Sequence, residues 1–191
     1  MNEIFKTHLE KFIKIDEREF GEILNFFRIQ SVPAKQNLLE EGKVCRDYYF
    51  VLKGILRLFF LNEKGVEQTT EFAIETWWIT DNMAYEHGRP SSFSIQAIEK
   101  TAFLSISREN QENLLREFPK MEHYFRLIYQ RAYAASQMRM KYFLSYSKEE
   151  FYFSFVKSYP EFVQRVPQYL IASYLGFTPE YLSEIRKRQI S

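Results

Sequence analysis

The chain has 191 residues, 46% hydrophobic and 18% aromatic, with 26 Lys and Arg against 25 Asp and Glu for a formal net charge of +1. That composition excludes a disordered tail, and the near-neutral balance means that any contact with nucleic acid has to come from a local surface. The single cysteine, Cys45, excludes an intramolecular disulfide; with no apolar leader in residues 1–14 and no run approaching the ~18 residues of a membrane span, a reducing, cytoplasmic setting away from the membrane is expected.

Residues 13–28 carry Phe20, Leu24 and Phe27 at helical spacing behind Asp16, with Glu19 three residues on, the pattern of a capping box and an amphipathic helix. From Ser31 the period changes. Residues 48–52, 55–61 and 66–73 read as strands separated by the glycine-bearing turns Lys53-Gly54 and Asn62-Glu63-Lys64-Gly65, with further strands at 93–98 and 101–106. Within 55–61, Ile55, Arg57 and Phe59 face one way and Leu56, Leu58 and Phe60 the other. Short strands with almost no helix between residues 35 and 106 predict an antiparallel sandwich or barrel. Residues 85–92, with Glu86, His87, Gly88, Arg89 and Pro90, read as an exposed loop, the kind of place where a rigid barrel holds a ligand.

A short helix over 107–118 leads into the longest helical signal of the chain, residues 119–145, of which roughly 25 residues at 1.5 Å each make a rod of about 37 Å. Met121, Phe125, Ile128, Ala132, Ala135, Arg139 and Tyr142 recur there at steps of four and three, with Arg139 the polar member, and make a helix-helix seam. The small Ala132 and Ala135 let two backbones approach, so a homodimer is the preferred use of the seam and a core helix within one domain the alternative. Ser147 and Glu150 form a second capping box, opening a helix that ends at Ser158-Tyr159-Pro160.

Residues 168–174 are helical in pattern, Gly176 breaks the run, and Thr178 caps a second helix that takes Pro179 in its first turn and continues to about Arg188. Leu170, Ile171, Leu175, Leu182 and Ile185 supply the contacts that hold two short helices together. This is the pattern of a helix-turn-helix presenting its second member to a major groove of double-stranded DNA. Gln168, Ser173, Thr178 and Ser183 are donors for phosphates or base edges, Glu180 and Tyr181 lie in the first turn of the second helix with Glu184 one turn on, and Arg186, Lys187 and Arg188 form a basic run.

A barrel, a long helix and this terminal stretch, Val166-Pro-Gln-Tyr-Leu-Ile-Ala-Ser-Tyr-Leu-Gly-Phe-Thr-Pro-Glu-Tyr-Leu-Ser-Glu-Ile-Arg-Lys-Arg188, occur in the order found in the Crp/Fnr family of bacterial transcription regulators, which the chain resembles over nearly its whole length. Glu41-Gly42, Tyr49 to Gly54 and Lys64-Gly65 are similar to the family's barrel turns. The resemblance implies mixed α and β structure: an antiparallel jelly roll of cyclic-nucleotide-binding type with flanking helices (1–118), a dimerisation helix (119–145) and a helix-turn-helix DNA-binding domain (146–191), too short for the β-hairpin wing of longer relatives. It implies a homodimeric DNA-binding regulator.

Cyclic-nucleotide binders of the family carry a Gly-Glu pair for the ribose and an arginine for the phosphate. Here the corresponding region reads Trp77-Trp-Ile-Thr-Asp-Asn82, and the arginine position falls near Ser91, two residues from Arg89. Losing both groups forfeits charge-assisted bonds worth several kcal/mol, on the order of 3 or more. Cyclic AMP is therefore not the expected ligand. Tyr49, Phe59, Trp77, Trp78, Arg89, Ser91, Ser92 and Phe93 are the residues expected to fill the pocket or to line one for an unidentified small-molecule effector. Relatives often place arginine where Glu184 stands, so the DNA preference is expected to differ as well.

His8, His87 and His123 are widely separated and read as surface residues, and no phosphate loop, nucleophile elbow or ligand cluster appears, so neither an enzyme, a metal site nor a cofactor is expected. The competing reading is a ligand-sensing or protein-interaction module that has lost specific DNA binding.

Overall fold

The structure is a computed structural model that describes residues 2–190, with only the backbone of residues 189 and 190. The chain divides into two compact units, Met1–Phe60 with Thr70–Gln130, and Leu61–Thr69 with Arg131–Ser191. The boundary falls inside the long helix.

The first unit opens with a helix that the pattern of residues 1–14 did not predict, α1 (Asn2–Glu10), which buries Phe5, His8 and Leu9. The capping box of α2 (Glu17–Leu24) forms as expected: the Asp16 carboxylate accepts from the Glu19 N–H at 2.8 Å, and Glu19 accepts from the Asp16 N–H at 3.3 Å. The helix ends at Leu24, short of the expected Arg28, which instead opens β1 (Arg28–Val32). Phe27 keeps its place in the core from the link between them.

Among the described residues, eight strands make two antiparallel four-stranded sheets, the jelly roll. One has the order β1-β8-β3-β6, using β3 (Asp47–Lys53), β6 (Trp78–Ile79) and β8 (Thr101–Ser107). The other has the order β2-β7-β4-β5, using β2 (Asn37–Leu39), β4 (Leu56–Leu61), β5 (Glu67–Ala73) and β7 (Ser94–Ala97). The alternation expected in β4 holds: Leu56 and Leu58 enter the main core, while the Arg57 guanidinium lies 4.0 Å over the Phe59 ring on the other face. At the β3–β4 turn Gly54 has φ +102°, and a Cβ there would stand 2.5 Å from Thr101 Oγ1 and 2.8 Å from the Lys100 carbonyl, so glycine alone fits.

Between β6 and β7, where an exposed loop was expected, lies a helix, α3 (Asn82–His87), capped by Asp81 and closed by Gly88 at φ +60°. Its Ala84 and Tyr85 are buried, which a loop reading of residues 85–92 missed. After β8, α4 (Arg108–Glu117) is capped by Ser107, and α5 runs from Lys120 to Ser145. The first turns of α5 bury Met121, Tyr124 and Phe125 against an aromatic cluster around Trp78. Trp78 stands 4.6 Å from Tyr48, 5.2 Å from Phe50 and 5.3 Å from Phe125, and its indole N–H donates to the Tyr124 hydroxyl at 2.8 Å. A buried indole needs such a partner, and each ring buried here contributes about 2–3 kcal/mol. His8, expected at the surface, is 8% exposed and lies among Phe12, Phe50 and Tyr124.

In the second unit, α5 continues into α6 (Lys148–Ser158), whose Ser147–Glu150 capping box forms as expected, then α7 (Pro160–Arg165), α8 (Gln168–Leu175) and α9 (Pro179–Ile190). Tyr152, Val166, Leu170, Ile171, Ala172, Leu175, Leu182 and Ile185 form its buried interior.

Candidate functional site

Two places hold the residues singled out above: the segment around α3 in the first unit, and the α8–α9 pair in the second.

The segment around α3 is organised by Asp81, a residue the sequence reading did not select. One carboxylate oxygen accepts from the Ala84 N–H at 3.1 Å and caps α3; the other accepts from the Ser91 hydroxyl at 2.8 Å and the Ser92 N–H at 3.2 Å. Asp81 is 6% exposed and Ser91 3%. The signal was present: Asp at the N-cap and Gly88 just past the C-terminus bracket a short helix. Thr80 beside it donates to the Asp47 carbonyl at 2.9 Å and lies 3.2 Å from Cys45 Sγ, and burial pushes the Cys45 thiol up, away from reactivity.

The expected pocket residues do not converge. Trp78 belongs to the aromatic cluster under the helices, whereas its neighbour Trp77 is 46% exposed. Adjacent residues of extended chain point to opposite sides, so the two rings cannot line one cavity. Tyr49 sits on the face of β3 opposite Tyr48 and Phe50, packs edge-on against Phe103 at 5.5 Å, and donates to the Leu38 carbonyl at 3.4 Å. Phe59 lies in the other sheet beneath Arg57. Phe93 is half-buried against Phe60 at 6.0 Å. Arg89 is exposed and contributes its carbonyl to the Cys45 N–H at 3.2 Å, while Ser92 is exposed with its N–H on Asp81. Ser91, which the resemblance pairs with a phosphate-binding arginine, is therefore tied to a carboxylate. A buried anion stands there, the wrong sign for a cyclic phosphate.

In the second unit α8 ends at Gly176 with φ +76°, and its last turn closes through Phe177 N–H on the Ala172 carbonyl at 2.8 Å. Two residues later Thr178 Oγ1 accepts from the Tyr181 N–H at 3.2 Å and starts α9. Leu182 and Ile185, each 1% exposed, fix which side of α9 is buried. At about 100° per residue, Glu180, Ser183, Glu184 and Lys187 then fall opposite them, with Arg186 and Arg188 on the flanks. All six are exposed.

A cleft of about 290 Å³ brings together Gln168, Pro179, Leu182, Ser183, Arg186 and Lys187, four of which were singled out from the sequence. Arg188 pairs with Glu149 at 3.1 Å. Two more of the expected contact residues are committed elsewhere. The Ser173 hydroxyl donates to the Glu67 carbonyl and accepts from the Thr69 N–H, both at 2.9 Å, and the half-buried Tyr181 ring packs on Phe177 at 5.8 Å with Lys148 Nζ 5.3 Å from its centre. Their polarity was legible and their partners were not.

Several residues of the expected dimer seam likewise have partners within the chain. Met121 and Phe125 are 0% and 3% exposed in the first unit's core, and Ile128 packs against it. Arg139 lies 4.1 Å over the Tyr174 ring and donates to the Tyr174 carbonyl at 2.8 Å; Tyr142 packs on Tyr146 and Phe151. Only Ala132 and Ala135 of the series are exposed. The exposed apolar side chains of α5 are instead Tyr129, Tyr133, Met138, Met140, Phe143 and Leu144. Tyr133, Met140 and Leu144, in the second unit, recur within about 40° of one another, roughly a third of a turn from the expected seam.

Comparison with known proteins finds that residues 29–118 match the family described as Cyclic nucleotide-binding domain. Among solved structures, the chain is similar to FixK2 from Bradyrhizobium japonicum (TM-score 0.73, 16% identity, covering 85% of this chain and 83% of that one). It is also similar to a protein from Eubacterium rectale assigned to the crp/fnr family of transcriptional regulators (TM-score 0.72, 15% identity, 92% and 84% covered) and to the Catabolite Activator Protein of Thermus thermophilus (0.58, 20%, 91% and 83%). At these identities the likeness establishes the fold. Comparison with curated protein sequences finds no match. Among the described residues, no helix is long and apolar enough to cross a membrane, and no group of three His, Cys, Asp or Glu is placed to hold a metal ion.

Proposed function

We propose that the chain is a homodimeric, DNA-binding transcription regulator whose nucleotide segment is degenerate, so that it works without a ligand or with one other than cyclic AMP. The observation that carries this reading is α9: a helix seated on α8 by Leu182 and Ile185, with Ser183 and Lys187 facing outward and Arg186 lining the same cleft. That surface suits the major groove of duplex DNA, the flanking cations supporting the phosphates. The exposed α5 stripe of Tyr133, Met140 and Leu144 supports pairing with a second copy, which sets two such helices on a palindromic site and recovers affinity from a weakly charged motif. The Asp81–Ser91 bond supports the absence of cyclic AMP.

Selection of bound fragments from random duplex DNA tests the proposal. Enrichment of a palindrome, lost in R186A/K187A, is the expected result; equal retention of all sequences at low salt overturns it. The carboxylates of Glu180 and Glu184 on the outer face of α9 favour the competing reading, a protein-interaction module without specific DNA binding, and the same experiment separates the two.

A further inference from the structure

Resting on that reading of a dimer on DNA, we propose that Arg139 is the positioning residue that aims α9 from α5 and so sets the spacing between the two half-sites. The last turn of a helix leaves carbonyls with no partner inside it. In α8 the Ala172 and Ser173 carbonyls are taken by the Gly176 and Phe177 N–H groups, and no basic residue lies in the last turn of α8. Arg139 supplies the cation from α5: its guanidinium donates to the Tyr174 carbonyl at 2.8 Å and lies 4.1 Å over the Tyr174 ring. The same ring meets Phe155 of α6 at 5.6 Å. One turn further along α5, the edge of the Phe143 ring comes 3.5 Å from where a Cβ on Gly176 would stand, at the turn between the paired helices.

The stack and the hydrogen bond end on one residue, so together they fix direction as well as distance. A planar guanidinium stacks and bonds in one orientation, which a flexible ammonium does not. Leu182 and Ile185 seat α9 on its partner helix, so whatever holds the end of α8 on α5 is carried to α9. The aim matters because α9 is long: its 12 residues span about 18 Å, and a turn of about 10° moves the far end by about 3 Å, close to one base-pair step of about 3.4 Å. In a twofold assembly that slack enters twice, and it changes the separation of the half-sites rather than the bases read within each.

The test uses the full chain in selection from duplex libraries in which the length between half-sites varies. Wild type is expected to favour one spacing over those a base pair longer or shorter by about tenfold, and R139A and R139K to reduce this to about twofold with the half-site sequence unchanged. R139K keeps the charge and guards against a loss of fold in R139A. Y174L, which removes the ring and keeps an apolar side chain beside Phe155, should behave alike, and R139A/Y174L no worse than R139A. In the DNA-free protein, spin labels on A135C and E184C, both exposed positions, diluted with unlabelled chain, should give one narrow distance that R139A broadens; Cys45 is buried and stays unlabelled. A spacing preference unchanged in R139A and R139K, affinity falling equally at every spacing, or a label distance that stays narrow overturns this inference and leaves DNA binding standing. Failure of wild type to retain any duplex at low salt overturns the DNA-binding reading itself, and the spacing role with it.

Discussion

Removing the Asp81 carboxylate should loosen the segment between β6 and β7, and the cost can be worked from its three bonds. In D81A the Ala84 N–H loses its cap, worth about 1 kcal/mol, and the Ser92 N–H loses an ionised acceptor, worth about 1–2 kcal/mol. Ser91 suffers less: its hydroxyl oxygen lies 2.9 Å from the Phe93 carbonyl oxygen, and its one proton can turn to it. The expected loss is therefore about 2–3 kcal/mol, with S91A costing about 1 kcal/mol and D81N falling between them. Urea unfolding followed by tryptophan fluorescence measures all three, Trp78 reporting from the buried cluster. A D81A loss below about 0.5 kcal/mol, or one equalled by S91A, would refute the assignment of Asp81 as the organising acceptor.

G54A should destabilise the chain by more than about 2 kcal/mol in the same assay, because the positive φ and the backbone of Lys100 leave no room to relax. If the proposed dimer forms through the exposed stripe of α5, wild type should sediment as a dimer at micromolar concentration and M140E and L144E as monomers, with an unfolding midpoint close to wild type; a wild-type monomer, or a dimer unchanged by both, contradicts that use of the stripe. Burial raises the hydroxyls of Tyr48, Tyr49, Tyr85 and Tyr124 above the ordinary tyrosine value of 10.0. A pKa raised by folding contributes stability that is full below that ordinary value and lost as pH rises past it toward the folded one. Tyrosine absorbance should accordingly rise in two phases, the second coinciding with alkaline unfolding; a single early phase at native circular dichroism would contradict the burial.

Local periodicity and capping made much of the architecture legible. Asp16 and Glu19, Ser147 and Glu150, and the Gly176 to Thr178 turn act within a few residues of chain, so their geometry follows from spacing alone. The alternation of β4 was readable for the same reason. The resemblance covered the order of barrel, long helix and paired terminal helices, but not where the chain divides: the compact units part inside α5, at Gln130, where packing partners change although helical pattern does not.

Partners distant in sequence were the part that escaped. The series from Met121 to Tyr142 shows an apolar face truly enough, yet periodicity is the same whether that face meets a second copy, a barrel core or an adjacent helix, and here both ends of it are taken within the chain. Trp78 and Trp77 are alike as residues and opposite in burial, and Ser173 is a good donor whose hydroxyl is already bonded 104 and 106 positions away. The sequence by itself determined most of the helices and strands, though not α1 or α3, and which side chains bear charge or rings, because those depend on neighbours a turn or a step apart. Only the tertiary structure decided which of them are left to face a partner, because exposure and hydrogen-bond saturation depend on what the rest of the chain brings alongside.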